Sequence, residues 1–181
     1  MSLAVCLLID DPADAAIRQL WRRLEDVCVP SLATHTHGRH VPHLTLAALR
    51  TYDIPAVQAA LAGLPVAAPA ELLLDALGSF RRSRCWLAPA ASADLVARQE
   101  AVVEAALGTG ADLHRHYRPG SWIPHLTLAP RLHTTDLPTV ARIVYDVLPL
   151  TAPVSRAALI ETSTGAHGGF DHRLLAGDQA C

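Results

Sequence analysis

A hexapeptide, Pro-His-Leu-Thr-Leu-Ala, occurs twice in this chain, at residues 42–47 and again at 124–129. Each copy follows a polar, histidine-containing loop and precedes a segment with helical periodicity. A repeat in both local sequence and element order indicates two similar lobes related by a pseudo-twofold axis. We therefore predict an α/β (α+β) fold made of a duplicated β-α-β-α-β unit, with two antiparallel sheets about the axis, a central cleft between them and the helices outside.

The remaining segments fit this duplication within one bilobal domain spanning residues 1–181. The apolar segment 2–10 predicts a buried strand. Asp11 is predicted to cap a first helix over 12–29, with Pro12 at its first position, where proline is favoured. The further predicted strands are 43–49, 71–80, 85–90, 122–130, 154–164 and 170–177, the further helices are 54–64, 92–108 and 136–148, and a glycine-rich turn is predicted at 165–169.

Composition narrows the function classes. The formal net charge is −2, and all 15 basic residues are arginine, so nothing indicates a general nucleic-acid or membrane binder. Four cysteines lie far apart without a CxxC pair, which argues against a zinc knuckle or a disulfide framework. No basic n-region precedes the first apolar segment, and no apolar segment is long enough to span a bilayer. We expect a cytoplasmic protein, a monomer, that does not associate with membranes.

The repeated hexapeptide carries the chemistry. Side chains two positions apart in a strand point to the same face, so His43 and Thr45 share one face, as do His125 and Thr127. Imidazoles titrate near neutral pH, so one histidine can act as a general base and the other as a general acid. The threonine hydroxyls can donate hydrogen bonds to phosphate oxygens. This set predicts phosphodiester chemistry that requires no cofactor and no metal.

With these motifs the sequence resembles the 2H phosphoesterases, the superfamily of 2′-5′ RNA ligase-like proteins and RNA 2′,3′-cyclic phosphodiesterases. That superfamily is named for two H-x-[T/S] motifs, which here are "HLTL" at 43–46 and "HLTL" at 125–128. The segments "LGSFRRSRCWLAP" and "SWIPHLTLAP" are also similar to family segments. The resemblance implies a bilobal fold with both motifs in a central cleft. It also implies metal-independent hydrolysis of 2′,3′-cyclic phosphates, on RNA ends or small nucleotides, to 2′-phosphates.

The resemblance further implies a role for each motif residue. His125 would be the base that activates water and His43 the acid, while Thr45 and Thr127 would hold the phosphate. The same residues fit two alternatives: 2′-5′ RNA ligation, which shares a transition state with hydrolysis, and non-catalytic binding of a nucleotide or RNA end. RNA-directed members often carry an arginine directly after the second motif, whereas the first arginine here is Arg131.

Residues in the loops around the motifs are candidates for the substrate rim, because arginine binds phosphate and aromatic rings stack on bases. These candidates are His37, Arg39, Phe80, Arg82, Tyr117, Arg118 and Trp122. A further alternative is a metal-dependent hydrolase in which His35, His37 and His40 join His43. No Asp, Glu or Cys lies among these histidines, so we expect no metal, and inhibition by a chelator would distinguish the two hypotheses.

Overall fold

The computed structural model describes residues 2–81, 84–165 and 167–169. The strands among these residues are β1 (Leu3–Ile9), β2 (His43–Thr51), β3 (Glu71–Phe80), β4 (Arg84–Pro89), β5 (Asp112–Leu113), β6 (Leu126–Ala129), β7 (Leu150–Glu161) and β8 (His167–Gly169). The helices are α1 (Asp11–Glu25), α2 (Ile54–Ala62), α3 (Ala93–Gly108) and α4 (Leu137–Tyr145). Short 3-10 turns lie at 115–117 and 134–136.

The strand order confirms the predicted duplication. Seven strands follow the order β5-β2-β1-β7-β3-β4-β6, every pairing is antiparallel, and β8 pairs with β7. The unit β1-α1-β2-α2-β3 corresponds to β4-α3-β6-α4-β7, so the pseudo-twofold axis passes between β7 and β3. The last strand of each unit pairs with a strand of the other unit. β3 pairs with β4 of the second unit, and β7 pairs with β1 of the first.

Curvature of the sheet brings the two copies of the hexapeptide together. Four strands separate β2 from β6 in the strand order, yet β2 and β6 are in contact. The indole of Trp122, just before β6, donates a 3.0 Å hydrogen bond to the carbonyl of Thr45 in β2. The indole of Trp21 in α1 donates a 3.3 Å bond to the carbonyl of Thr127 in β6. Each motif strand is therefore anchored through the carbonyl of its own threonine.

The helices cover one face of the curved sheet, and the motif histidines and threonines lie on the opposite face. Helix α1 packs on β6, β7 and α4, and α3 packs on β2, β5 and α2. Leu44, Leu46, Leu126 and Leu128 enter this core and are at most 1% exposed, each contributing about 1.5–3 kcal/mol on burial. The opposite face carries a smaller apolar cluster of Ala4, Cys6, Leu8, Ala158 and Ile160. No helix in the described part of the chain is both long and apolar enough to cross a membrane.

The first helix begins one residue earlier than predicted. Asp10, not Asp11, is the N-cap: its backbone is extended, and its carboxylate accepts a 3.1 Å hydrogen bond from the amide of Ala13. Asp11 is instead the first helical residue, with Pro12 beside it in the first turn. Both aspartates suit a helix start, and only the backbone angles decide which one caps it.

One predicted boundary and one predicted turn near the end of the chain were wrong. Strand β7 begins at Leu150 rather than at residue 154, because its first residues pair with β3 before the strand continues along β1. The predicted glycine-rich turn at 165–169 contains β8, which extends the sheet along β7. Glycine can adopt an extended backbone as readily as a turn. The predicted strand at 170–177 lies outside the described residues.

Candidate active site

The two motif histidines have the same side-chain geometry. His43 is the first residue of β2, and its Nδ1 lies 2.7 Å from the carbonyl oxygen of Val41. His125 directly precedes β6, and its Nδ1 lies 2.7 Å from the carbonyl oxygen of Ile123. A carbonyl oxygen only accepts hydrogen bonds, so Nδ1 of each ring carries a proton. The free nitrogen of both imidazoles is therefore Nε2, which accepts a proton when the ring is neutral and donates one when it is charged.

The repeated sequence explains this shared geometry. In both motifs a proline, Pro42 or Pro124, stands between the histidine and the residue whose carbonyl it contacts. Proline fixes its own φ and holds the preceding residue in an extended conformation. Val41 and Ile123 are thereby held so that their carbonyls can meet the ring two residues later. The identical hexapeptide thus produces an identical tautomer at both places.

The environment of the site favours neutral imidazoles in the free protein. Burial lowers the pKa of His43 below its ordinary 6.5, although the bond to the Val41 carbonyl partly opposes the shift. Burial also lowers the pKa of His125, the bond to Ile123 opposes it, and the nearby charges of His43 and Arg84 lower it further. A phosphate anion bound between the rings would raise both pKa values, because an opposite charge favours the protonated form.

The motif threonines lie on the same face of the sheet as the histidines, as the alternation predicted. Thr45 is 8% exposed, and its hydroxyl lies 3.5 Å from the Sγ of Cys6, its neighbour in β1. Tyr117 lies near enough for its hydroxyl to interact with the Thr45 side chain, which lowers the pKa of Tyr117 against the larger effect of burial. Thr127 is half-buried and stands directly opposite Trp86 of β4. The structure thus brings both His-Thr pairs to one surface.

Aromatic rings form a wall beside His125. The ring of Phe80, a predicted rim residue, meets the imidazole edge-on with 5.0 Å between centroids. Trp86 packs 5.0 Å from Phe80 and 5.9 Å from His125. Its indole lies across Gly78, the residue opposite it in β3, where any Cβ would overlap the ring. Glycine at this position therefore allows the wall to form.

The histidine-rich loop before the first motif borders His43. His37, Arg39 and His40 line a small depression together with His43 and Gly165. The rings of His37 and His40 are 4.2 Å apart. Burial, helped by the charges of the neighbouring histidines, lowers the pKa of His40 to about 4. The predicted rim residues His37 and Arg39 are thus beside a motif histidine.

The same loop does not have the arrangement of a metal centre. Among the described residues, no group of three or more His, Cys, Asp or Glu side chains is placed to hold a metal ion. His40 Nε2 is instead 3.0 Å from the hydroxyl of Thr36, and His37 Nδ1 accepts a bond from the amide of Arg39. Ring nitrogens that a metal would need are engaged within the loop.

The other predicted rim residues have different positions. Tyr117 lies beside Thr45, as described above. Trp122 is half-buried, and its indole donates to the Thr45 carbonyl of β2, so it is part of the scaffold of the first motif. Arg118 is exposed at the end of the 115–117 turn. Arg82 lies outside the described residues.

Arg84 belongs to the segment FRRSR, whose arginines the sequence left open between a polar hairpin tip and a substrate rim. It is the first residue of β4, directly opposite Phe80, and it shares a face of the strand with Trp86. Period-two alternation in the sequence places Arg84 and Trp86 together. The pairings of β4 with β3 and β6, which bring both residues to His125, join segments distant in the chain and give no local sequence signal.

Comparisons with known proteins agree with this geometry. Residues 9–166, most of the chain, match the model of the 2′-5′ RNA ligase superfamily. Similar solved structures include Escherichia coli LigT complexed with 3′-AMP (16% identity, 93% of this chain and 94% of that chain, TM-score 0.60). They also include E. coli LigT complexed with NADP+ (18%, 93% and 94%, 0.57) and TT0787 of Thermus thermophilus (19%, 94% and 96%, 0.57). A comparison with curated proteins gave no match.

These solved structures share the fold of this chain. The match to the family model covers both HLTL motifs. The resemblance to the 2H phosphoesterases that the two motifs indicated is therefore confirmed. The chain belongs to the 2′-5′ RNA ligase superfamily, whose members are two-histidine phosphoesterases and ligases.

Proposed function

We propose that this protein is a metal-independent phosphodiesterase that hydrolyses a 2′,3′-cyclic phosphate to a 2′-phosphate. The observation that carries the proposal is the matched pair of imidazoles, His43 and His125. Each has its Nδ1 held by a backbone carbonyl at 2.7 Å and is followed by a threonine on the same face. Membership of the superfamily supports phosphodiesterase or ligase chemistry at this pair.

The reaction needs one neutral and one protonated imidazole. The neutral ring takes a proton from water through Nε2, and the water oxygen attacks phosphorus. The bond from phosphorus to the 3′-oxygen breaks, and that oxygen takes a proton from Nε2 of the charged ring, leaving a 3′-hydroxyl and a 2′-phosphate. The two histidines have then exchanged protonation states, and proton exchange with solvent restores them. The hydroxyls of Thr45 and Thr127 donate to the non-bridging oxygens as negative charge builds there.

We assign His125 as the base and His43 as the acid. The positive charge of Arg84 acts on His125 and favours its neutral form, which is the form a base requires. The shift of His43 has no cationic cause and comes from burial. This difference in neighbouring charge supports the assignment of His125 as the base.

The substrate we propose is a small cyclic nucleotide or the end of an RNA. LigT has been crystallised with 3′-AMP, NADP+ and ATP, which are small nucleotides. The aromatic wall of Phe80 and Trp86 beside His125 supports a ring-bearing substrate, since bases stack on aromatic side chains. In 2′-5′ ligation a ribose hydroxyl would replace water as the nucleophile at the same histidines. The superfamily's name supports that second activity.

Hydrolysis of a nucleoside 2′,3′-cyclic phosphate in excess EDTA tests the proposal. We expect turnover to the 2′-phosphate by the wild type. His43→Ala and His125→Ala should each lower kcat by 10²–10⁴-fold, about the usual contribution of general acid–base catalysis. His133→Ala is the matched control, because His133 is exposed and its side chain makes no capping hydrogen bond.

Three outcomes would count against the proposal. Full activity in either motif variant would exclude the two-histidine mechanism. Loss of wild-type turnover in EDTA, restored by added metal, would instead support the metal-dependent alternative. Formation of the 3′-phosphate would mean that the bond to the 2′-oxygen breaks and that the substrate lies in the reverse orientation.

A further inference from the structure

Arg84 lies at the edge of the site on the side of His125. Strand β4 begins with this residue, and its cross-strand partner is Phe80, whose ring touches the His125 imidazole. Trp86 lies two residues further along the same face of β4, opposite Thr127. Arg84 is therefore the direct cross-strand neighbour of the residue whose ring contacts His125, and it is exposed. From there the guanidinium can reach a ligand that extends out of the site past Phe80.

The surroundings of Arg84 are cationic although the chain as a whole is slightly acidic. Burial lowers the pKa of His35, His114 and His125, and the charge of Arg84 lowers each of them further. These histidines come from the loops before both motifs and from the second motif itself, so Arg84 faces the point where these segments meet. The other charges that act on them also lower the pKa, and all come from Arg or His side chains: Arg50, Arg115, Arg131, His37, His43 and His116.

Arg84 makes no ion pair with any residue in the described ranges. The ion pairs found there use other arginines, namely Arg18, Arg23, Arg50 and Arg98. An exposed guanidinium beside an aromatic ring, without a carboxylate partner and among other cations, is suited to bind an anion. Arginine binds phosphate through parallel N–H···O hydrogen bonds.

We propose that Arg84 binds a second phosphate of the substrate, one that lies beyond the reacting cyclic phosphate, and so sets a preference for substrates that carry both. This inference rests on the proposed function and names its substrate class. The second phosphate is either the 5′-phosphate of a mononucleotide or the phosphodiester that joins the last nucleotide to an RNA chain. The nucleoside between the two phosphates lies along Phe80.

The reacting phosphate is bound by residues other than Arg84. It has to lie between Nε2 of His43 and Nε2 of His125, within reach of Thr45 and Thr127. The charge of Arg84 acts on His125 but is not among the causes that shift the pKa of His43. Arg84 is thus on the His125 side of the pair, next to Phe80.

Three substrates and four proteins test the proposal. The substrates are adenosine 2′,3′-cyclic phosphate, its 5′-phosphorylated form, and a dinucleotide that ends in a 2′,3′-cyclic phosphate. The proteins are the wild type, Arg84→Ala, Arg84→Lys and the control Arg22→Ala, which removes an exposed arginine from α1. Steady-state kinetics give kcat and KM for each pair. In parallel, calorimetry gives the Kd of adenosine 2′-phosphate and of adenosine 2′,5′-bisphosphate for each protein.

We expect Arg84→Ala to raise KM by about tenfold for at least one substrate with a second phosphate, the usual effect of losing one charge-assisted hydrogen-bond pair. KM for adenosine 2′,3′-cyclic phosphate should change less than twofold, and any change in kcat that follows from removing the charge beside His125 should be the same for all three substrates. Arg84→Lys should restore part of the loss, and Arg22→Ala should match the wild type. Whichever substrate shows the effect identifies the source of the phosphate.

Two results would overturn the proposal. An equal rise in KM for all three substrates would mean that Arg84 acts on the reacting phosphate. An unchanged KM for every substrate would mean that Arg84 binds neither phosphate. If the wild type hydrolyses none of the substrates, the proposed function fails and the calorimetry decides about Arg84. A bisphosphate that binds more tightly than the monophosphate in the wild type, and not in Arg84→Ala, would still support the second phosphate site. Equal affinities would reject it.

Discussion

At the residue scale, the two motif threonines have equivalent positions but different neighbours. Thr45 is buried between Cys6 and the hydroxyl of Tyr117, whereas Thr127 stands beside the indole of Trp86. Burial raises the pKa of Tyr117 to about 12, so its hydroxyl keeps its proton. Because it keeps its proton, the Tyr117 hydroxyl can donate to the Thr45 oxygen, which would leave the threonine proton free to point at the phosphate. Tyr117 is in that case a positioning residue for the first motif.

We predict that Tyr117→Phe lowers kcat for cyclic phosphate hydrolysis by about three- to tenfold, the effect of one lost hydrogen bond. The shape of the pH–rate profile should stay unchanged, because the pKa of Tyr117 lies far above the range in which the histidines titrate. Tyr145→Phe is the control, since Tyr145 is 55% exposed at the end of α4. A kcat equal to that of the wild type would show that Thr45 needs no support from Tyr117.

The lowered pKa values of the two histidines predict the direction of the pH dependence. The free protein must have its acid histidine protonated, and burial places that pKa below 6.5, so the reactive fraction falls as pH rises. We expect kcat/KM to drop about tenfold between pH 7 and pH 8. The bound phosphate raises the pKa of the acid, so kcat should fall less over the same interval. A kcat/KM that is constant or rises across this interval would contradict the assignment.

At the scale of elements, the start of α1 offers a direct test of the observed cap. Asp10→Ala removes the acceptor for the Ala13 amide and should lower the free energy of unfolding by about 1 kcal/mol. Asp11→Ala removes only a charge from the first helical turn and should cost about 0.3 kcal/mol. Urea unfolding of both variants measures the difference. The opposite ranking would mean that Asp11 caps the helix.

The pairing of β3 with β4 depends on the small size of Gly78. An added Cβ would overlap the Trp86 ring, so Gly78→Ala should displace the indole and destabilise the fold by about 1–3 kcal/mol. Movement of the ring away from His125 should also lower kcat/KM. Gly108→Ala is the matched control, because nothing lies within 4 Å of its added Cβ. A Gly78→Ala protein with wild-type stability and activity would show that Trp86 is not held in this position.

At the scale of the whole molecule, the exchange of third strands makes the two repeats interdependent. β3 completes the sheet of the second unit and β7 that of the first, so neither half contains all the strands of its own sheet. We predict that fragments 1–82 and 83–181 each fail to show a cooperative thermal transition by circular dichroism, while the intact chain does. Mixing the two should restore ordered structure. A cooperative transition in either isolated fragment would show that a repeat folds without strand exchange.

The sequence by itself determined the features that depend on neighbours along the chain. The alternation in HLTL assigned His43 and Thr45 to one face and the leucines to the core. The proline before each histidine explains the shared ring geometry. Most element types followed from periodicity and capping residues, with errors at boundaries such as Asp10 and the start of β7 and at the short strands β5 and β8. These properties are local, because backbone angles and side-chain direction depend on a few adjacent residues.

Only the tertiary structure decided which segments meet. The exchange of β3 and β7 and the approach of β2 to β6 follow from pairings between residues far apart in sequence. The same pairings place Arg84 and Phe80 beside His125. Alternation assigns a side chain to a face but does not specify the strand that will lie next to it. Strand partners are instead set by how all the apolar faces bury together, a property of the whole chain.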